Sequence, residues 1–384
     1  MTDPHEQPVE RCWTDAVKDL LRDWSLQYDQ NEPLDVIASP DLDGVLSILL
    51  LQKYFGCFNR VVRVIGIYTT IELYLCDGAD GSAARRALWV DHDMLQNLRS
   101  IGNHLSRFAS GNETAQSLTR HPLSFNLNDW FGQGYHDSFR GVQAPQRDKC
   151  PFGTATILAH ALMADDLNTL MQQKPYHSLF AYFAHADSLW LCSHSYTPST
   201  QLWYQTAFDS APWLRYVVEP RLYSSDATRL RQHEKLVNAL CKQLHGSFQR
   251  GSSASSDDAQ QCERRLLQAN ANCIDPQRWS AMRGKQGLSP NYFLTMEQRT
   301  LGWLDAFRKM FMLVGASFSE ECLGSLLLPQ TITSEAKGQL HEVDPSQWKH
   351  DAQHFAALMC SEGAQSVAIT NRSTVRYTNH LPLT

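Results

Sequence analysis

Apolar residues at Trp13, Val17, Leu20, Leu21 and Trp24 recur at the spacing of one helical face, which predicts an amphipathic helix over Trp13 to Tyr28. Two short, nearly continuous apolar runs, Leu34–Ala38 and Val61–Tyr68, have the length and β-branched content of buried strands. The Leu/Ile-rich stretch Val45 to Phe55 between them is long enough for a helix. Together the three predict a βαβ unit and a parallel sheet. Ala87-Leu88-Trp89-Val90 predicts a third strand, and Leu98 to Leu105 a short fourth. Phe152-Gly153-Thr154 opens a further helix with Thr154 as its expected N-cap. Tyr176 to Leu191 is a strong apolar segment that carries His185 and Asp187.

Residues 110–120 and 130–149 are polar without a sustained apolar period, and read as surface insertions. The Ser-rich run after Gly251 is the expected linker. Helices are expected over Ala227–Leu244, Cys262–Ala269 and Gln298–Leu313. Alternation in Ser366–Thr370 and Thr374–Thr378 around Asn371-Arg372-Ser373 predicts a β-hairpin. The expected class is α/β: a parallel-sheet domain over 1–215, then a mostly helical domain over 216–384 that ends in the hairpin, with the active cleft between them.

A chain of 384 residues exceeds what one hydrophobic core usually supports. Its hydrophobic fraction of 43% and charged fraction of 19% are those of an ordinary globular protein, and no apolar run is long enough to span a bilayer. The opening MTDPHEQPVERCW lacks the basic start and apolar centre of a secretory signal, so a cytoplasmic location is expected. Ten cysteines without a CxxC pair give no support to a zinc ribbon and read as reduced core thiols. A net charge of −6 argues against broad coating of nucleic acid and favours small phosphorylated or short oligonucleotide ligands.

The candidate chemistry starts at Asp41-Leu42-Asp43-Gly44, directly after the first strand. Two carboxylates one residue apart at the carboxyl end of a strand suit a hard divalent cation, and the N-terminus of the following helix suits a phosphate. The plainer alternative is a helix start decorated with acids, which the dipole alone favours. A second acidic group, Asp91-His92-Asp93, follows the third strand, where the alternative is a solvated turn. Asp187 also reads as an ordinary cap, His185 and His194 as packed or exposed histidines, and the tryptophans as core.

In their order, DLDG after a first strand, DHD after a later strand, a helix starting GTATILAHAL, and Ala186-Asp187-Ser188 resemble the DHH phosphoesterase superfamily. Its members include RecJ-type exonucleases, short-oligonucleotide and cyclic-dinucleotide phosphodiesterases, and manganese pyrophosphatases. The resemblance covers roughly Leu34 to Leu191. It implies a hydrolase using Mn2+ or Mg2+ on a short nucleic acid or nucleotide, with Asp41, Asp43 and Asp187 as metal ligands. Two registers are open for the remaining motifs. In one, Asp77 is the bridging carboxylate and Asp91-His92-Asp93 the DHH triplet, with His92 a ligand. In the other, Asp91 bridges and Gly102-Asn103-His104 stands at the triplet; spacing favours this one. His92 and His104 are the candidates for assisting the leaving group.

The chain departs from the family pattern at three places. Ser39 stands where many members carry a His or Asp ligand, the triplet reads DHD or GNH, and no Gly-Gly-Gly-His signature follows. Such changes are also those of a module that has lost catalysis and binds nucleotide or protein. DLDGVL is similar as well to the opening motif of haloacid dehalogenase-like phosphatases. There Asp41 would be the nucleophile and Asp43 the acid/base, with Asp165-Asp166 the one candidate for a later acidic motif.

Overall fold

The computed structural model describes residues 12–39, 42–68, 72–76, 78–95, 98–104, 124–131, 150–170, 183, 186–187, 197–208, 211–215, 332–343, 357–359, 361–362, 364–371, 374–379, 381 and 383. The helices expected between 227 and 313, the Ser-rich linker, the 110–120 insertion and nearly all of the 130–149 insertion lie outside these residues.

Helix α1 (Trp13–Ser25) buries Trp13, Val17, Leu20, Leu21 and Trp24, the face that the periodicity picks out. It stops short of Tyr28, whose N–H closes a turn on the Ser25 carbonyl. Strand β1 (Leu34–Ala38) is buried throughout, as a central parallel strand must be. Helix α2 (Leu42–Gly56) starts ahead of the predicted Val45. It buries Val45, Leu46, Ile48, Leu49, Leu50 and Leu51, each contributing about 1.5–3 kcal/mol. Its one buried amide, Gln52, is satisfied by accepting the first N–H of β2 (Val62–Tyr68) at 2.8 Å.

β3 (Glu72–Cys76), α3 (Gly81–Arg86), β4 (Leu88–Val90), β5 (Arg99–Gly102), β6 (Phe125–Asn126) and α4 (Leu127–Trp130) follow. α5 (Thr154–Leu170), α6 (Thr197–Ala207) and β7 (Ile332–Lys337) complete this part of the fold. The main sheet has the order β6-β5-β4-β1-β2-β3-β7. β6, β5, β4, β1 and β2 are mutually parallel, and β3 and β7 are added antiparallel at one side. The fold is therefore α/β around a mostly parallel sheet. Alternation along the strands sends Val36, Ala38 and Val90 into a core with α1, α2 and α5. Ile37, Tyr68 and Trp89 enter a second core on the other face, closed by Ala84 of α3 and by Leu381 and Leu383.

Strands β8 (Gln339–Val343), β9 (Ser366–Asn371) and β10 (Thr374–Asn379) form an antiparallel sheet of order β8-β10-β9, in which β9 and β10 are the predicted hairpin. This sheet abuts the main one. The Val367 N–H reaches the Asp93 carbonyl at 3.2 Å, the Leu95 N–H reaches that of Gln365 at 2.8 Å, and the Tyr68 hydroxyl lies 3.1 Å from Ser366 Oγ. Among the described residues no helix is long and apolar enough to cross a membrane.

At the far end of the sheet, Asp35 of β1 is fully buried and holds the half-exposed Arg63 of β2 through two bonds of 2.7 and 3.0 Å. The expectation for Thr154 is corrected. It is the first residue of α5 rather than its cap, because a carboxylate from α2 takes the free amides of the first turn.

Candidate active site at the carboxyl ends of the parallel strands

From β1 the chain crosses through α2 to β2 on one side, while β4 lies on the other side of β1. The connection therefore changes direction between β1 and β4, and open α/β sheets bind ligands in the crevice beyond the strand ends at such a point. The loop after β1 and the first turn of α2 deliver Ser39 and Asp43 to this edge, and the loops after β4 and β5 deliver Asp91 to Asp93, and Asn103 and His104.

Asp43 lies in the first turn of α2 and is buried. Its Oδ2 accepts the Thr154 N–H at 2.8 Å and its Oδ1 the Ala155 N–H at 2.6 Å, so it meets the positive end of α5. Close approach requires glycine at 153, where a Cβ would lie 2.6 Å from Asp43 Oδ2. Asp91 has φ of 61°, a left-handed conformation that costs an L-residue about 1–2 kcal/mol and that Asp tolerates better than most. The kink carries the chain over the end of β5, with the Asp91 N–H on the Ile101 carbonyl at 2.8 Å. Asp91 Oδ2 accepts the Ser39 hydroxyl at 2.7 Å, and Oδ1 accepts the Thr154 hydroxyl at 3.2 Å. One residue, Thr154, thus engages both carboxylates, through its amide and its side chain.

Asn103 donates through Nδ2 to Asp187 Oδ2 at 2.7 Å and to the Phe152 carbonyl at 3.1 Å, which ties Asp187 to the same edge. Its Oδ1 is buried without a hydrogen-bond partner among the described residues. Asp93 holds His104: its Oδ2 accepts the His104 N–H at 2.9 Å and lies 3.1 Å from the ring Nδ1. His92 is seated differently. It packs edge-on against Tyr68 and Trp89, with ring centroids 4.9 and 6.3 Å away. Burial, aided by the nearby His104, pushes its pKa down to about 3 and keeps it neutral.

Of the residues expected at a site, Asp43, Asp91, Asp187 and His104 share this edge, and His92 is a core residue beside it. Asp41 and Asp77 lie outside the described residues. β3, which leads to Asp77, runs antiparallel and ends beside Val64, where the Cys76 thiol faces the Val64 carbonyl at 3.8 Å. Asp91 and the 102–104 turn instead end β4 and β5, the next strands out from β1. Asp166 of the Asp165-Asp166 pair reaches Lys53 at 3.4 Å with its side chain 62% exposed, so it is a surface group. Asn126 and Asn128 escape motif reading, and Thr154, expected only as a cap, engages Asp43 and Asp91. The only trace of the asparagines is two amides spaced two apart in Phe125-Asn126-Leu127-Asn128.

The donors here, carboxylate and amide oxygens, are those a hard divalent cation prefers, and the unsatisfied Asn103 Oδ1 marks a place for a cation or a ligand donor. The two amides on Asp43 fix the orientation of its carboxylate. Among the described residues no three of His, Cys, Asp and Glu form a group that could hold a metal ion on its own. Comparison with protein-family models, with curated proteins and with solved structures returned no match.

Proposed function

We propose that the crevice between β1 and β4 binds a phosphoester, of a short oligonucleotide or a nucleotide, and hydrolyses it with a divalent cation, as the resemblance to DHH phosphoesterases implies. The observation that carries this reading is the meeting of Asp43 and Asp91 on Thr154 at the switch point of the sheet. Asp43 and Asp91 would hold Mn2+ or Mg2+ with Asp41 if it follows the family pattern; Asp187, which the resemblance adds, accepts from Asn103 and completes no group of three with them among the described residues. Such an ion lowers the pKa of water and offsets charge on phosphoryl oxygens. Ser39 and Thr154 keep Asp91 turned toward the crevice, the α5 amides fix Asp43, and His104 is the group for the leaving oxygen.

A second reading is a DHH-like module that binds nucleotide or protein without hydrolysing it. It is favoured by Ser39 and Asn103, which stand at expected ligand positions and spend their donors on Asp91 and Asp187. The haloacid dehalogenase-like reading loses its candidate for a later acidic motif, since Asp166 pairs with Lys53 at the surface.

The test is Mn2+-dependent hydrolysis of bis-p-nitrophenyl phosphate, short single-stranded DNA and RNA, cyclic dinucleotides and pyrophosphate, by wild type, Asp91→Asn and Asp43→Asn. Hydrolysis lost in variants of unchanged circular dichroism supports the enzyme and names its substrate. Folded wild-type protein that hydrolyses none of them and takes up no Mn2+ in a calorimetric titration refutes it and leaves the binding module.

A further inference from the structure

We infer that Asp93, Asn126 and Gly102 position the His104 imidazole for proton transfer to a leaving oxygen, with Asp93 and Asn126 as positioning residues and His104 as the group that meets the substrate. The inference rests on the phosphoesterase reading above and adds to it Asn126, which lies outside the motifs, and a positioning role for Asp93 and Gly102 that neither triplet register assigns. Asp93 is buried, with a side chain 1% exposed, while that of His104 is 32% exposed, so the imidazole lies at the surface and its orienting carboxylate behind it. Three groups of His104 are held at once. Asp93 Oδ2 takes its N–H at 2.9 Å and faces Nδ1 at 3.1 Å, and Asn126 Nδ2 donates to its carbonyl at 2.8 Å.

The same Asn126 Nδ2 donates to Asp93 Oδ1 at 2.6 Å, so both carboxylate oxygens are engaged. Asn126 is itself locked, its Oδ1 accepting the N–H groups of Asn128 at 2.8 Å and Asp129 at 3.3 Å at the start of α4. Asn128 then donates to the Asn103 carbonyl at 2.6 Å, pinning the residue next to His104. Gly102 makes room for this arrangement: a Cβ there would lie 2.6 Å from Asp93 Oδ1 and 2.5 Å from the His92 carbonyl oxygen. The Asp93 carboxylate thus fills the space that a side chain at the first triplet position would enter.

A carboxylate on Nδ1 selects the tautomer protonated there and leaves proton exchange to Nε2. In the step, water attacks phosphorus as the P–O bond to the leaving group breaks, and the electron pair of that bond goes to the leaving oxygen. That oxygen takes the Nε2 proton of the imidazolium, which becomes the neutral imidazole still protonated at Nδ1. The attacking water gives its proton to solvent, and the imidazole, keeping its Nδ1 proton on Asp93, regains one from solvent.

The experiment compares hydrolysis of bis-p-nitrophenyl phosphate, whose leaving group needs no proton, with that of a thymidine dinucleotide, whose alkoxide does, for wild type, Asp93→Asn, Asn126→Ala and Gly102→Ala. The expected loss is about 10²–10⁴-fold on the dinucleotide, the share that a positioned general acid contributes, and at least tenfold less on the nitrophenyl ester. Equal losses on both esters, or none, overturn the inference. 15N spectra of His104 read it without turnover. A shift of the tautomer away from Nδ1–H in Asp93→Asn supports it even if wild type hydrolyses nothing and the phosphoesterase reading falls; an unmoved tautomer overturns it.

Discussion

The Asp43 carboxylate caps a helix that begins 111 residues further along the chain, taking the Thr154 N–H at 2.8 Å. One side chain is thus both a candidate ligand and the joint between α2 and α5, and its two roles separate by substitution. Asp43→Ala leaves buried amides without an acceptor and should lower stability in urea by about 1–3 kcal/mol. Asp43→Asn keeps one acceptor oxygen and should recover about half of that, while any metal-dependent hydrolysis stays lost. An Asn variant that turns over like wild type contradicts the ligand role.

Gly153→Ala tests the same joint from the other side. Its Cβ would lie 2.6 Å from Asp43 Oδ2, and α5 or the carboxylate must give way. A loss of about 1–3 kcal/mol is expected, as for other overpacked interiors, although Ala is the better helix former. Unchanged thermal stability would mean that the two helices are not held this tightly.

His160 on α5 packs against Trp13 and Phe208, with ring centroids 5.4 and 5.3 Å away, and burial, with Lys18 nearby, pushes its pKa down to about 4. Since the unfolded chain takes up this proton near pH 6.5 and the folded chain only near 4, unfolding binds protons between those values. Stability is therefore full above pH 6.5 and falls as pH drops toward 4, by ~3 kcal/mol from this residue. Urea titrations across that window should show a shallower decline for His160→Phe than for wild type. Parallel curves would show that His160 does not carry the effect.

Arg63→Leu strands the Asp35 carboxylate inside the sheet. Breaking a buried pair costs about 3–5 kcal/mol, and the solvent exposure of Arg63 places the loss at the lower end. Removing the acid as well, in Asp35→Val with Arg63→Leu, should restore most of it in chemical denaturation. A double variant as unstable as the single one would show that the charge left behind is not the cause.

The elements readable ahead of the structure are those whose burial is local. α1 shows a single apolar stripe, β1 and β2 are short apolar runs around a Leu-rich helix, and β9 and β10 alternate around a turn. β3 is not legible in this way. Five residues close behind β2 give no period, and its other partner is β7, far along the chain. At the site, Asp43 and Asp91 announce themselves as acids after strands. Thr154 misleads, because a cap-forming residue type at a helix start invites a local reading while the acceptor comes from α2. Asn126 sits in a two-residue strand, and its value lies in the distances to Asp93 and His104, which no spacing encodes.

The outer edge of β3 is covered by a strand from near the other end of the chain, and Leu381 and Leu383 fill the core beneath Ile37 and Trp89. During synthesis the first strands emerge with that edge bare and that face open, a state prone to pairing with other chains until the last strands arrive. A protein stopped at residue 215 should therefore aggregate rather than behave as a free-standing half. Supplying residues 332–384 as a separate polypeptide should rescue its solubility, the late segment acting as an internal chaperone for the early one.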